Sequence, residues 1–91
     1  MLGTVLKEQR IMCHYDVEEI HAQIRHNVKL LREMRGKSQL EMALAIGHSS
    51  AAFYAKAELG IQRKKFNVEH LCKIANVLEV DIRDFFDNLR E

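Results

Sequence analysis

Lysine and arginine side chains are concentrated in the middle of the chain, where they could bind phosphate groups. Nine basic and three acidic residues lie between residues 25 and 65, which gives this segment a formal net charge of +6. The flanking segments 1–24 and 66–91 carry −2 and −3, so the whole chain is close to neutral at +1. A basic segment between acidic ends is typical of a phosphate-binding surface, although solvated helix faces also collect charge.

Histidine and cysteine are the other residue types that could support chemistry. None of the five histidines has a second histidine four residues away, the spacing that places two metal ligands on one helix face. Cys13 and His14 could supply two ligands, but no second pair has zinc-like spacing. We find no catalytic Ser/His/Asp or paired-carboxylate pattern and no glycine-rich phosphate loop. The sequence therefore predicts neither an enzyme nor a bound metal or cofactor.

The composition predicts one small all-α domain. The chain has 91 residues, 47% of them hydrophobic, with no proline and only four glycines, whereas residues of high helix propensity are abundant. No apolar run reaches the roughly 18 residues of a membrane span, and the N-terminus lacks the apolar core of a signal peptide. Two cysteines are too few for a disulfide framework. We therefore expect a cytoplasmic protein with free thiols and no membrane segment.

Capping residues mark the starts of the predicted helices. Asp16, with Glu19 three residues later, should begin a helix over residues 17–35 that stops at Gly36. Ser38 and Glu41 form a second capping box ahead of a short helix. This helix should end at Gly47 and turn Leu40, Ala43 and Leu44 inward.

Three further helices follow by the same argument. A third helix, capped by Ser49 or Ser50, should end at Gly60, and residues 61–67 form a basic loop. Asn67 should cap the fourth helix, and Asp81 the fifth. The predicted buried positions of these last two helices are Val68, Leu71, Cys72, Ala75, Leu78, Phe85, Phe86 and Leu89.

The second and third predicted helices fit a helix-turn-helix. Two helices that cross closely need a small residue in the first, a residue tolerant of positive φ in the turn, and a bulky apolar anchor in the second. Ala43, Gly47 and Phe53 meet these requirements in order and spacing.

At these positions the chain resembles the phage repressor–Cro type of helix-turn-helix domain, the XRE-like family. The resemblance covers residues 28–86, about two-thirds of the chain. The motifs that carry it are Val28-x-x-Leu31-Arg32, Arg35-Gly36-Lys37-Ser38-Gln39, Leu44-Ala45-x-Gly47, Ser49, Glu58-x-Gly60, Leu71-x-Lys73-Ile74-Ala75, Leu78-x-Val80 and Phe85-Phe86. It implies a five-helix, lambda-repressor-like domain that binds duplex DNA as a dimer on a palindromic operator.

The resemblance also implies roles for individual residues. Those expected to contact DNA are Ser38, Gln39, Ser49, Ser50, Ala51, Lys56, Arg63, Lys64 and Lys65, and His48 and Tyr54 are predicted as additional contacts beside the family pattern. Within this set Gln39 and the basic side chains would contact phosphates, while Ser49, Ser50 and Ala51 would lie at the base edges. Arg32 and Glu58 match a family ion pair that ties the first helix to the third.

The chain departs from the family pattern in three places. The interval between Gly47 and Gly60 is about one residue longer, and position 56, apolar in the family, is lysine. The loop from Gly60 to Val68 is about two residues longer and basic. Ser50-Ala51-Ala52 stands where Gln, Arg or Asn would make bidentate base contacts. Serine can bond several base edges and alanine can contact a thymine methyl, so DNA shape and phosphates should carry more of the affinity.

Residues 1–15 lie outside the resemblance and are predicted to be an N-terminal extension of the DNA-binding domain at residues 16–91. Their apolar residues suggest an added element of the domain, a dimer contact or a partner contact, unless the segment is disordered. The preferred interpretation is a dimeric transcriptional regulator, for example a repressor, that associates with the nucleoid when bound to DNA. The alternatives are the antitoxin of a toxin–antitoxin pair and a protein-interaction module that has lost DNA readout.

Overall fold

Four α-helices and a final 3₁₀ helix make up the part of the chain that the computed structural model describes, residues 14–87. They are α1 (Val17–Met34), α2 (Gln39–Ala45), α3 (Ala52–Leu59), α4 (Val68–Leu78) and the 3₁₀ helix (Ile82–Phe86). No β-strand occurs within residues 14–87, in agreement with the predicted all-α class. The fifth element, predicted as an α-helix, is a single stretch of 3₁₀ helix. No helix in residues 14–87 combines the length and apolar character needed to cross a membrane.

Helix starts lie close to the predicted capping residues. Ser38 and Glu41 form the predicted reciprocal capping box: the Glu41 N–H donates to Ser38 Oγ at 3.0 Å, and the Ser38 N–H to Glu41 Oε1 at 2.7 Å. Asp16 caps α1 by accepting from the Glu18 N–H at 2.9 Å, without the predicted reciprocal bond in which the Asp16 N–H donates to the Glu19 carboxylate. Asn67 caps α4, and Nδ1 of His70 accepts the Asn67 N–H in return.

The start of α3 differs from the prediction. Its N-cap position is occupied by Ala51, which already has helical dihedral angles and provides no capping side chain. The nearest substitute is a long contact of 3.5 Å from the Ala52 N–H to Ser50 Oγ. The prediction of a cap at Ser49 or Ser50 is therefore wrong by at least one residue, because the backbone already has a helical conformation at Ala51.

The core lies where the four helices and the 3₁₀ helix meet. Its buried residues are Ile24, Val28, Met42, Ala43, Ile46, Tyr54, Ala57, Phe66, Leu71, Ile74, Ala75, Leu78 and Phe85. Burial of Ala43, Leu71, Ala75, Leu78 and Phe85 was predicted correctly.

Several predicted core residues are exposed instead. Leu40 and Leu44 are 48% and 57% exposed, because α2 turns Met42 and Ala43 inward. Val68 and Cys72 are exposed because the inward face of α4 passes through Ile74, which the predicted stripe omitted. Phe86 is also exposed, and Leu89 lies outside the described residues.

A buried amide fixes the 3₁₀ helix against α1. Asn27 Nδ2 donates to the carbonyl oxygens of Phe85 at 2.9 Å and Asp87 at 3.1 Å, and its Oδ1 accepts from Gln23 Nε2 at 3.3 Å. These bonds hold Phe85 in the core. The 3₁₀ helix contacts α1 and α4 but neither α2 nor α3, so it supports the domain from the side away from those two helices.

Candidate nucleic-acid interface

Helices α2 and α3 form the helix-turn-helix that the spacing of Ala43, Gly47 and Phe53 predicted. Ala43 is fully buried, and Phe53 packs against the core. Gly47 has φ +92°, a conformation that side chains with a Cβ rarely adopt. The His48 N–H donates to the Ala43 carbonyl at 2.9 Å, which closes the turn over the end of α2.

A buried carboxylate joins the three helices that position this motif. Arg32 of α1 donates to both oxygens of Glu58 on α3, from Nε at 2.7 Å and from Nη2 at 3.1 Å. Tyr54 Oη donates to Glu58 Oε2 at 2.7 Å, and Gln39 Nε2, at the start of α2, donates to Glu58 Oε1 at 3.1 Å. Arg32 also donates to the Lys37 carbonyl at 2.9 Å. The ion pair expected from the resemblance is therefore the centre of a larger network.

Hydrogen bonds within this buried network keep the Glu58 carboxyl ionised. The side chains of Arg32 and Glu58 are only 11% and 2% exposed. Burial alone would raise the pKa of the Glu58 carboxyl, but hydrogen bonds from Arg32, Tyr54 and Gln39 outweigh it and hold the pKa below its usual value. Burial and the bond to Glu58 raise the pKa of the Tyr54 phenol, so its hydroxyl stays protonated and donates. The network thus orients α3 relative to α1 and α2 with a charged pair that has no unsatisfied oxygen.

The opposite face of α3 points outward. Tyr54, Ala57 and Glu58 are buried. The outer face consists of residues spaced by three, one and three positions, which share one side of a helix: Ala52, Ala55, Lys56 and Leu59. Ala52 and Leu59 are exposed, and Ala55 and Lys56 are half-buried. Position 56 does not face the core here, because the buried Ala57 takes that place.

The predicted base-contacting residues lie at the start of this face. Ser49 and Ser50 are exposed, and Ala51 is half-buried. His48, half-buried, stacks on Phe53 with ring centroids 4.9 Å apart and lies edge-on to His70 at 6.3 Å.

Three of the predicted DNA contacts on α2 and α3 have other partners in the structure. Tyr54 has no exposed surface and its hydroxyl is bonded to Glu58, so burial removes it from the candidate DNA-contacting set. The Ser38 hydroxyl is occupied in the capping box. Gln39 gives one of its amide hydrogens to Glu58 and is half-buried, so it has a structural contact that the sequence did not predict.

The basic loop after α3 contains a strained turn. The Lys64 N–H donates to the Ile61 carbonyl at 3.0 Å, and the two residues between them, Gln62 and Arg63, have φ of 54° and 58°. Consecutive non-glycine residues at positive φ are uncommon and cost energy. The turn leaves Arg63 exposed, with Lys64 and Lys65 half-buried, and Lys65 Nζ lies 3.6 Å from Glu18 Oε2.

Arg25 is a neighbour of α3 that the sequence analysis missed. Its guanidinium lies against Gly60, the left-handed C-cap of α3, where a Cβ would collide with it. Arg25 and Arg32 are seven residues apart and therefore lie on one face of α1, and both reach the C-terminal part of α3. That spacing was the pattern in the sequence that could have identified Arg25.

Metal ligands do not cluster in the described part of the chain. Within residues 14–87, no group of three or more His, Cys, Asp or Glu side chains is arranged to hold a metal ion. Cys13 of the suggested Cys13–His14 pair lies outside these residues.

Comparison with known proteins agrees with the geometry of α2 and α3. A family model described as helix-turn-helix matches residues 28–85, which include α2, the turn and α3. Neither the curated proteins nor the solved structures include a significant match to the chain. The matched segment covers more than half of the chain. It contains every motif that carries the resemblance, apart from Phe86 at the end of the last motif. The chain belongs to the XRE-type helix-turn-helix family of DNA-binding proteins.

Proposed function

We propose that the chain is a sequence-specific transcriptional regulator that binds duplex DNA as a dimer, with the outer face of α3 in the major groove. The observation that carries this proposal is the outward face of α3, followed in the chain by a cationic loop, in a helix-turn-helix held by the Glu58 network. In such motifs the second helix enters the major groove and the flanking segments contact the backbone. Dimerisation would place two half-sites about one or a few helical turns apart on a palindromic operator.

Three cations, one on this face and two in the loop after α3, are available for phosphates. Within residues 14–87, Lys56, Arg63 and Lys64 have no carboxylate within ion-pair distance, whereas Lys65 pairs with Glu18. Unpaired cations release counterions from DNA on binding, which makes affinity depend on salt. Gln39 keeps a second amide hydrogen that Glu58 does not use, so it can support the network and contact a phosphate. Ser49, Ser50, Ala51 and His48 are proposed to lie near the base edges.

A salt titration tests the proposal. The plot of log binding constant against log salt concentration should have a negative slope, with about −0.9 per phosphate contacted. Lys64→Ala should make the slope shallower by about one contact and weaken binding to all sequences. Arg83→Ala is the matched control, because Arg83 lies on the 3₁₀ helix, which contacts neither α2 nor α3. Binding that is independent of salt, or a slope unchanged in Lys64→Ala, would contradict the proposed interface.

The apolar character of the α3 face favours one alternative, a protein-interaction module. Leu59 is 64% exposed, and Lys56 is the only charged residue among the four on the outer face. A protein partner would bind this apolar surface with an affinity that depends little on salt, whereas DNA binding weakens as salt rises. The same titration therefore separates the two functions. The antitoxin hypothesis assigns the partner contact to residues 1–15, of which 1–13 lie outside the described residues.

A further inference from the structure

The polar side chains of α3 are divided unequally between its two faces. Tyr54 and Glu58 point inward and are bonded to each other. On the outer face, Lys56 is the only side chain with a hydrogen-bonding group, and it can only donate. The remaining outer side chains, Ala52, Ala55 and Leu59, end in methyl groups.

This division limits what α3 can recognise in a major groove. Adenine is selected by the paired donor and acceptor of Asn or Gln, and cytosine by a carboxylate acceptor. The outer face of α3 offers neither group. A single lysine can favour guanine or bind a phosphate, but it cannot specify a half-site. The base feature that suits methyl side chains is the 5-methyl group of thymine, which projects into the major groove.

We propose that α3 selects its DNA through thymine methyl groups, which Ala52, Ala55 and Leu59 contact. The inference rests on the proposed function and adds the chemical class of the target: a half-site with thymines at the positions that α3 faces. DNA is favoured over a protein as the occupant of this face because the face carries Lys56 and the chain continues from the end of α3 into the loop with Arg63 and Lys64. None of these three cations has a carboxylate within ion-pair distance among residues 14–87. Ser50, exposed just before the helix, adds a hydroxyl that accepts or donates and so discriminates little.

Uracil substitution isolates the methyl group, because uracil pairs like thymine and lacks only the 5-methyl. The experiment uses the full chain and a duplex recovered by selection from a random pool. Each thymine is replaced in turn by uracil, and affinity is measured by fluorescence anisotropy at fixed salt. Each contacted methyl should contribute about four-fold in affinity, as expected for burying one apolar carbon. Replacement by 5-bromouracil, whose bromine occupies nearly the same volume, should restore the affinity.

Two variants connect the effect to α3. Leu59→Ala should abolish the preference for thymine over uracil at one position of the half-site and leave the other positions sensitive. Leu44→Ala is the matched control, since Leu44 is exposed on α2 and outside the α3 face. It should retain the full preference at every position.

The outcomes separate this inference from the proposed function. If selection returns no duplex, DNA binding itself fails. If a duplex is selected but binds equally well with uracil throughout, the protein binds DNA and the thymine-methyl inference is overturned. If uracil weakens binding but Leu59→Ala retains sensitivity at every position, the assignment of Leu59 is overturned. If a protein partner binds the α3 face and duplexes do not, the interaction-module alternative replaces both.

Discussion

The hydroxyl of Tyr54 donates a hydrogen bond to Glu58, four residues later on the same helix, with 2.7 Å between the two oxygens. Both side chains lie on the buried side of α3, and the carboxylate is also held by Arg32 and Gln39. A helix of eight residues has little stability of its own, so its orientation must come from tertiary contacts. The Tyr54–Glu58 bond completes a set of contacts that turns Tyr54 and Glu58 inward and leaves Lys56 and the methyl groups of Ala52, Ala55 and Leu59 on the outer face.

Removing single members of this network should have unequal effects. Arg32→Ala leaves the Glu58 carboxylate buried without its cation and should lower the free energy of unfolding by about 3–5 kcal/mol. Tyr54→Phe removes one of several donors to the carboxylate and should cost about 1 kcal/mol. Both values can be measured by urea denaturation. Lys73→Ala, which removes an exposed ion pair with Glu69, is the control and should change stability by less than about 0.5 kcal/mol. An equal loss of unfolding free energy in Arg32→Ala and Lys73→Ala would show that the buried Arg32–Glu58 pair contributes no more than the exposed pair.

Gln39 should affect both stability and DNA binding. Gln39→Ala removes a hydrogen bond to Glu58, but Glu58 keeps its other donors. The free energy of unfolding should therefore fall by only about 1 kcal/mol. Operator affinity should fall as well, because the unused amide hydrogen is proposed to contact a phosphate. Denaturation and anisotropy on the same preparation measure the two effects. A large loss of melting temperature with unchanged affinity in the remaining folded protein would assign Gln39 a structural role alone.

His70 should make the fold less stable in mild acid. Burial, followed by the neighbouring His48, lowers the pKa of His70, while Glu69 opposes this effect and Lys73 adds to it. The unfolded chain then binds the proton more readily than the folded chain, so stability is lost as pH falls through the unfolded-state pKa of about 6.5. Protonation also removes the acceptor at Nδ1 that receives the Asn67 N–H.

The melting temperature should therefore be lower at pH 5.5 than at pH 7.5. His70→Gln retains an acceptor at the third position of α4 but cannot titrate, so it should reduce this dependence. His26→Gln changes an exposed histidine of α1 and is the control that should retain it. Glu58 does not contribute in this range, because its pKa is held below the usual carboxyl value. An identical pH dependence in the wild type and His70→Gln would exclude His70 as the source.

Two glycines allow the contact of Arg25 with α3 to be measured. Gly47→Ala and Gly60→Ala each place a Cβ at positive φ, which should cost about 1–2 kcal/mol. At Gly47 the added Cβ enters open space, whereas at Gly60 it displaces the Arg25 guanidinium. In double-mutant cycles, Arg25→Ala should therefore couple to Gly60→Ala by about 0.5 kcal/mol or more and not to Gly47→Ala. Zero coupling in both cycles would show that Arg25 does not stabilise the end of α3.

Local signals in the sequence predicted most of the fold. The capping box at Ser38, the cap at Asn67 and the glycines that end the helices depend on neighbouring residues, so they predict where helices start and stop. The inward and outward faces of short helices were harder to predict. Helix α2 spans only seven residues, and its sequence fits either of two adjacent apolar stripes. Leu40 and Leu44 were misplaced for this reason, and Cys72 because Ile74 shifts the buried face of α4.

The candidate site depended more on tertiary contacts than on the sequence pattern. The resemblance indicated the Arg32–Glu58 pair but neither of the other two bonds to Glu58. Tyr54 lies four residues before Glu58 on α3, and Gln39 reaches Glu58 only when α2 packs on α3. Tyr54 was predicted as an additional DNA contact, whereas it lies on the buried side of α3 and its hydroxyl donates to Glu58. Because the interval from Gly47 to Gly60 is about one residue longer than the family pattern, the resemblance did not fix which side of α3 this position faces.

Selection of duplexes from a random pool by the full chain tests DNA recognition by α3 most directly. We expect enrichment of a motif with two half-sites of opposite orientation, each containing thymines, bound with an affinity that falls steeply as salt rises. Recovery of no motif above the starting pool, with no salt-dependent binding to any duplex, would contradict DNA recognition by α3.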